Sequence, residues 1–203
     1  MLLQNLYEIL KHPTSIYTLL AILLFTLAFI KISRVKLSAK ITAQIGLALA
    51  LATVLRIFKI FDAPYGGSVT LGSMVPILLI SFIYGPSLGF LTGFLFGIIN
   101  FIMGPYVLHP IQVLFDYPLP FMALGLAGYF GENKILGSFI GIFSRFLCHF
   151  IAGVVFWASY APKGMSPYLY SLLYNGTYML IDGLICIVII SILPLKHLSK
   201  LTK

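Results

Sequence analysis

Asp116, His149, Trp157, Tyr170 and Asn175 are the side chains in this sequence best equipped for chemistry, and they stand in long apolar runs. An ionised group at the centre of a membrane span costs about 2.5–3.5 kcal/mol on insertion scales, so such residues mark ligand or ion pathways. His149, Gly153 and Trp157 recur at i, i+4 and i+8, which aligns imidazole and indole along one helix face with the glycine leaving room between them. A carboxylate such as Asp116 among aromatic faces suits a cation, through ion pairing and cation–π contact. Each residue also has a plainer role open to it. Asp116 can pair with Arg145, one turn deeper than His149, and His149 can bond a backbone carbonyl. Trp157 can anchor at the lipid interface, and Asn175 can join two helices. Asp182, deeper in the last apolar run, has no assigned role. No nucleophile or metal set accompanies His149, which argues against an enzyme. The chain also lacks a G-x-x-x-x-G-K-[ST] loop, so it does not hydrolyse nucleotides by itself.

The elements that must position these groups are membrane helices. Of 203 residues, 60% are apolar and 9% charged, and the mean hydropathy is +1.05. Soluble domains carry about 45–50% apolar and about 25% charged residues. This composition excludes a soluble enzyme, a disordered chain and a nucleic-acid-binding domain. The net charge of +8 therefore reads as an orientation signal. Cys148 and Cys186 lie within apolar runs and are not expected to pair.

Apolar runs predict spans over about 16–32, 43–61, 71–84, 87–103, 109–130, 135–160 and 169–193. Lys11 and His12 lend the first the look of a signal peptide, but no small-residue cleavage site follows, so an uncleaved helix is expected. Gly85-Pro86 separates the third and fourth spans, and Pro118 and Pro120 interrupt the fifth. Lys31, Arg34, Lys36 and Lys40 should face the cytoplasm, as should Lys134 and the C-terminal Lys196, Lys200 and Lys203. Six spans separate the first basic cluster from the last, so both fit on one side. Loops 62–70, 104–108 and 161–168 then face outward, rich in Gly and Pro and carrying Tyr65 and Tyr168. In the second span, Gly46/Ala50 and Ala48/Ala52 form small-residue strips on which another helix can pack closely.

Several segments together resemble the thiamine-specific S component of bacterial energy-coupling factor transporters. They are Gly66–Pro76 (GGSVTLGSMVP), His109–Tyr117 (HPIQVLFDY), His149–Trp157 (HFIAGVVFW), Ala161–Gly164 (APKG) and Tyr170–Asn175 (YSLLYN). The resemblance covers about residues 41–194. It implies an all-α integral membrane protein: a six-helix S-component bundle over 41–203, preceded by an extra N-terminal transmembrane helix and basic linker over 1–40. It also implies a vitamin pocket near the outer face. Asp116 and Tyr117 match the pocket acid and its aromatic neighbour. His149 and Trp157 match the imidazole and the ring-stacking residue, and Tyr170 and Asn175 match hydrogen-bonding partners of the aminopyrimidine. Tyr106 and Gly153 match further contacts. Tyr65 stands where some members carry a tryptophan in the first outer loop. Gly46/Ala50 is the favoured register for docking a membrane coupling subunit, which works with two ATPases. ATP belongs to those partners, and no cofactor is expected here. The rival readings are an S component for another vitamin and a proton-coupled secondary transporter using Asp116 or Asp182.

Overall fold

The computed structural model describes residues 13–33 and 35–202. Lys11, His12, Arg34 and Lys203, used above as signals, lie outside the described residues. Helix α1 covers Pro13–Ser33 and α2 covers Ala39–Ile57. A hairpin of β1 (Lys59–Asp62) and β2 (Ser68–Thr70) follows, then α3 (Val75–Tyr84) and α4 (Pro86–Met103). The fifth span comprises α5 (Pro110–Asp116), α6 (Pro118–Ala123) and a 3-10 turn over Leu124–Phe130. Helix α7 runs Lys134–Phe156, α8 Pro167–Ile192 and α9 Leu195–Thr202. Among the described residues, five segments are long and apolar enough to cross a membrane: α2, α4, the fifth span, α7 and α8. With the shorter α3 they make a six-helix membrane bundle, and α1 lies against its side.

Two expectations about the second and third spans need correcting. Helix α2 stops at Ile57, and the chain turns into the hairpin at Lys59 rather than staying helical to Phe61. The third span is helical only over Val75–Tyr84, 10 residues or about 15 Å at 1.5 Å per residue, too short to cross. Its other half is the non-helical stretch through β2 to Met74, with Val69 1%, Thr70 3% and Ser73 4% exposed. Irregular backbone survives at membrane depth only where protein satisfies its polar groups. Asp182 does this: its Oδ1 accepts from the Thr70 N–H at 2.8 Å and the Thr70 hydroxyl at 2.9 Å. Its Oδ2 lies 3.6 Å from Nη1 of Arg145. The residue with no role in the sequence is thus the fastening point of the interrupted span. Removing one partner of a buried pair costs about 3–5 kcal/mol, so Asp182→Ala should lower the unfolding temperature in detergent by many degrees. Thermal unfolding followed by the fluorescence of Trp157 measures this, and an unchanged midpoint would contradict it.

The small-residue strips of α2 separate by face. Ala48 and Ala52 are buried against α3 and α4, at 9% and 0% exposure, beside Ile80 and Leu88 or Met74. They are internal packing and offer nothing to a partner, which corrects their expected place in a docking surface. Gly46 and Ala50 lie on the opposite face and are exposed.

The fifth span breaks at Tyr117 (φ −120, ψ −80), between Asp116 and Pro118. Proline's missing N–H and its steric demand on the preceding residue account for the break. α4 presses against the bend: a Cβ on Gly97 would stand 2.6 Å from the Tyr117 carbonyl oxygen. At the opposite end of the bundle, the Lys134 ammonium donates to the Ser191 and Leu193 carbonyls, at 2.7 and 2.9 Å, and so caps α8. Lys31 bonds the Tyr129 hydroxyl at that same end. Both described cysteines are free.

Candidate functional site

α5 opens with a capping box. Nδ1 of His109 accepts from the Ile111 N–H at 3.2 Å, and Gln112 reaches back toward the His109 N–H. The cap and Pro110 start a short helix that ends on Asp116, half-buried at the wall of a cavity of about 370 Å³. The cavity is walled by the hairpin, the loop after α4, the bend of the fifth span, α7 and α8.

Three donors converge on the Asp116 carboxylate. Nε2 of Gln112 donates to Oδ2 at 2.6 Å, and the indole N–H of Trp157 donates to the same oxygen at 3.3 Å. Nδ1 of His149 lies 3.2 Å from Oδ1. A carboxylate acceptor puts the proton on Nδ1, which makes Nε2 the lone-pair side of the ring. Nε2 is buried and has no hydrogen-bond partner among the described residues. Arg145 does not pair with Asp116. It is committed to Asp182 and lies over the Phe121 ring at 4.4 Å. That removes the simplest structural account of the acid.

Aromatic rings form the rest of the wall. Tyr106 lies 4.8 Å from Trp157 at an interplanar angle of 33°. Its hydroxyl shares a 3.2 Å hydrogen bond with Tyr160, which raises the pKa of this loop phenol. The Tyr106 N–H donates to the Tyr117 hydroxyl at 2.8 Å, and that hydroxyl donates to the Gly104 carbonyl at 3.2 Å. Tyr117 therefore fixes the loop after α4 as well as lining the cavity. Tyr65 sits at the hairpin tip, 4.9 Å from the Tyr160 ring and 6.4 Å from Trp157. Tyr174 holds that tip, accepting from the Tyr65 N–H at 3.0 Å and donating to the Gly66 carbonyl at 2.7 Å.

All eight expected site residues line this one cavity: Tyr106, Asp116, Tyr117, His149, Gly153, Trp157, Tyr170 and Asn175. Two details differ from expectation. Trp157 is the C-cap of α7 and not a helical residue, because the helix ends at Phe156. Gly153 makes room for α8: a Cβ there would stand 2.1 Å from the Ser171 hydroxyl and 3.0 Å from Nδ2 of Asn175. Asn175 takes the interhelical role, donating to the His149 carbonyl at 3.2 Å and accepting from the Tyr178 hydroxyl at 3.0 Å. Forcing extra atoms into a packed contact costs about 1–3 kcal/mol, and Gly153→Val should therefore lower thermal stability and ligand affinity together. Loss of neither in a detergent melt and a binding titration would show that α7 and α8 have slack here.

Sequence reasoning passed over Gln112, Arg56 and Tyr174. Gln112 is fully buried and precedes Asp116 by four residues, a spacing that brings side chains together on a helix. Arg56, in the last turn of α2, also lines the cavity. It was absorbed into a span drawn too long.

The family model for thiamine transporter protein matches residues 42–202. The chain belongs to that family. A relative within reach is the thiamine transporter ThiT of Bacillus subtilis, 37% identical over 169 residues, covering 74% of this chain and 88% of that one. ThiT of Lacticaseibacillus paracasei is 34% identical over 140 residues, covering 59% of this chain and 70% of its own length. A solved structure of ThiT from Listeria monocytogenes superposes with a TM-score of 0.68 at 28% identity, covering 80% of this chain and 96% of the other. The fold is therefore that of the family's membrane bundle. Helix α1 precedes the matched residues.

Proposed function

We propose that this protein is the thiamine-binding subunit of an energy-coupling factor importer. Thiamine joins a permanent thiazolium cation to an aminopyrimidine and a hydroxyethyl tail. The observation that carries the reading is Asp116, a carboxylate fixed by three donors and enclosed by aromatic rings. It supplies the countercharge, and Trp157 and Tyr106 supply faces for flat heterocycles. The unpaired Nε2 of His149 accepts from the ligand's amino group, and the Tyr170 hydroxyl offers a further polar contact. A molecule lacking these groups leaves buried polar atoms unpaired, which sets specificity. Gly153 and Asn175 serve the site by holding α7 to α8.

Residues 41–203 form the binding domain and 1–40 an appended helix and linker. The basic end of the bundle and the C-terminus face the cytoplasm of a bacterial cell, as the excess of Lys and Arg there supports, and the cavity opens outside. Thiamine captured at that face is released inward when a transmembrane coupling subunit, driven by two ATPases, engages the exposed Gly46/Ala50 strip. ATP is bound by those partners and this chain needs no cofactor. The proton-carrier alternative loses Asp182, which is tied to Thr70 and Arg145.

Titration of the detergent-purified protein with thiamine, riboflavin and biotin, read by quenching of its lone tryptophan, tests the reading. Thiamine alone should quench. Quenching by another vitamin and not by thiamine would overturn it. Uptake that continues without the ATPases but stops when the proton gradient is collapsed would overturn the coupling.

A further inference from the structure

Helix α1 is outside the residues that the family model matches, yet it is seated directly behind the candidate site. Most of its side chains face outward: Leu23, Leu24, Leu27, Phe29 and Ile30 are 45–60% exposed. Phe25 is partly buried, as are Thr18, Ala28 and Ile32, and it is the large aromatic among these four. It meets the Phe94 ring of α4 edge-on at 5.8 Å and packs on the cluster of Phe115, Leu119 and Ala152, which Cys148 also joins. Phe115 and Cys148 immediately precede Asp116 and His149 in the chain. The back of each site residue's own turn is therefore closed by α1. At its far end Lys31 pins the helix, bonding the Tyr129 hydroxyl and lying over that ring at 4.6 Å.

We infer that Phe25 of α1 is a positioning residue, which holds α5 against α7 so that Asp116 and His149 keep their pairing. α5 has 7 residues and ends at the helix break at Tyr117, so its rotation is set by neighbours and not by its own hydrogen-bond ladder. Fluid lipid chains in place of Phe25 would leave the helix free to roll. A site loosened by fractions of an ångström loses much of its affinity. α1 thus backs the α5–α7 wall of the binding site, on a face that lipid would otherwise cover.

The inference rests on the cavity being the thiamine site, and the experiment separates the two. In the full-length protein in detergent, Phe25→Ala should raise the thiamine Kd about fivefold or more, and Phe25→Leu should return it to within about twofold of wild type. Leu24→Ala, on the exposed side of α1, should have no effect. Because Trp157 touches Asp116, the emission maximum of the ligand-free Phe25→Ala protein should move relative to wild type, while circular dichroism stays unchanged. Lys31→Met, which frees the other end of α1, should weaken binding in the same direction and carries the test if Phe25→Ala does not fold. Wild-type affinity and emission in both variants would overturn the inference. A wild-type protein that does not bind thiamine would overturn the functional reading instead. The brace is then decided by the ligand-free emission shift, whose absence overturns it.

Discussion

Asp116→Asn is expected to raise the Kd for thiamine by about tenfold or more, equivalent to at least about 1.4 kcal/mol, without unfolding the protein. Asparagine has nearly the same shape, so the packing of α5 should survive. What changes is charge and hydrogen-bond sense. The carboxylate accepts from Gln112, His149 and Trp157, whereas an amide has one acceptor atom and turns an N–H toward donors that already fill the site. A cationic ligand loses its counterion at a point shielded from water, where Coulomb attraction is strong. Fluorescence titration gives the Kd, and a melt checks folding. Full affinity in a folded Asp116→Asn protein would mean that the cation is balanced elsewhere. The effect should also depend on ligand charge: a neutral analogue keeping the aminopyrimidine should lose less than thiamine does.

The second large effect is expected on the exposed face of α2. Ala50→Trp should abolish thiamine uptake by cells while leaving thiamine binding by the purified protein within about twofold of wild type. Ala50 and Gly46 are exposed on α2, away from the cavity and from the buried Ala48 and Ala52. A helix can approach such a strip closely only while its side chains stay small. An indole there would separate the two backbones and remove the proposed contact with a coupling subunit. Uptake assays in cells expressing the coupling subunit and ATPases, paired with titration of the same variant, read both halves. Retained uptake would place the docking surface elsewhere. Ala52→Trp is the internal contrast, since Ala52 is fully buried and its enlargement should damage folding.

The membrane class, the spans and the polar residues Asp116 and His149 could be read from residue types because a bilayer punishes misplaced polarity so heavily, whereas Tyr106 and Tyr117 came only with the family resemblance. Asp116 and His149 were conspicuous for that reason, and the structure brings them within 3.2 Å. The third span was misjudged because hydropathy registers apolar side chains and is blind to backbone conformation. Leu71–Met74 are apolar or small enough to continue a helix, yet the chain bends and turns there with Gly72 at φ +89, beside the fastening of Thr70 to Asp182. The partner that makes this tolerable is 112 positions away, beyond any local pattern. Gln112 escaped notice because its value lies in both ends of its amide at once, holding Asp116 and the loop after α4 together. Gly153 was recognised as leaving space, but spacing along one helix cannot say which neighbour fills it.

The distance along the chain between Thr70 and Asp182 has a consequence for biogenesis. A ten-residue helix preceded by bare peptide cannot settle in a bilayer by hydrophobicity alone, and its fastening residue is translated 112 residues after Thr70. The early spans must therefore wait, half-inserted or sheltered by the insertion machinery, until α8 emerges and threads beside them. A ribosome stalled before residue 182 should hold a nascent chain whose third segment is still open to protease, and release of the remaining residues should close it.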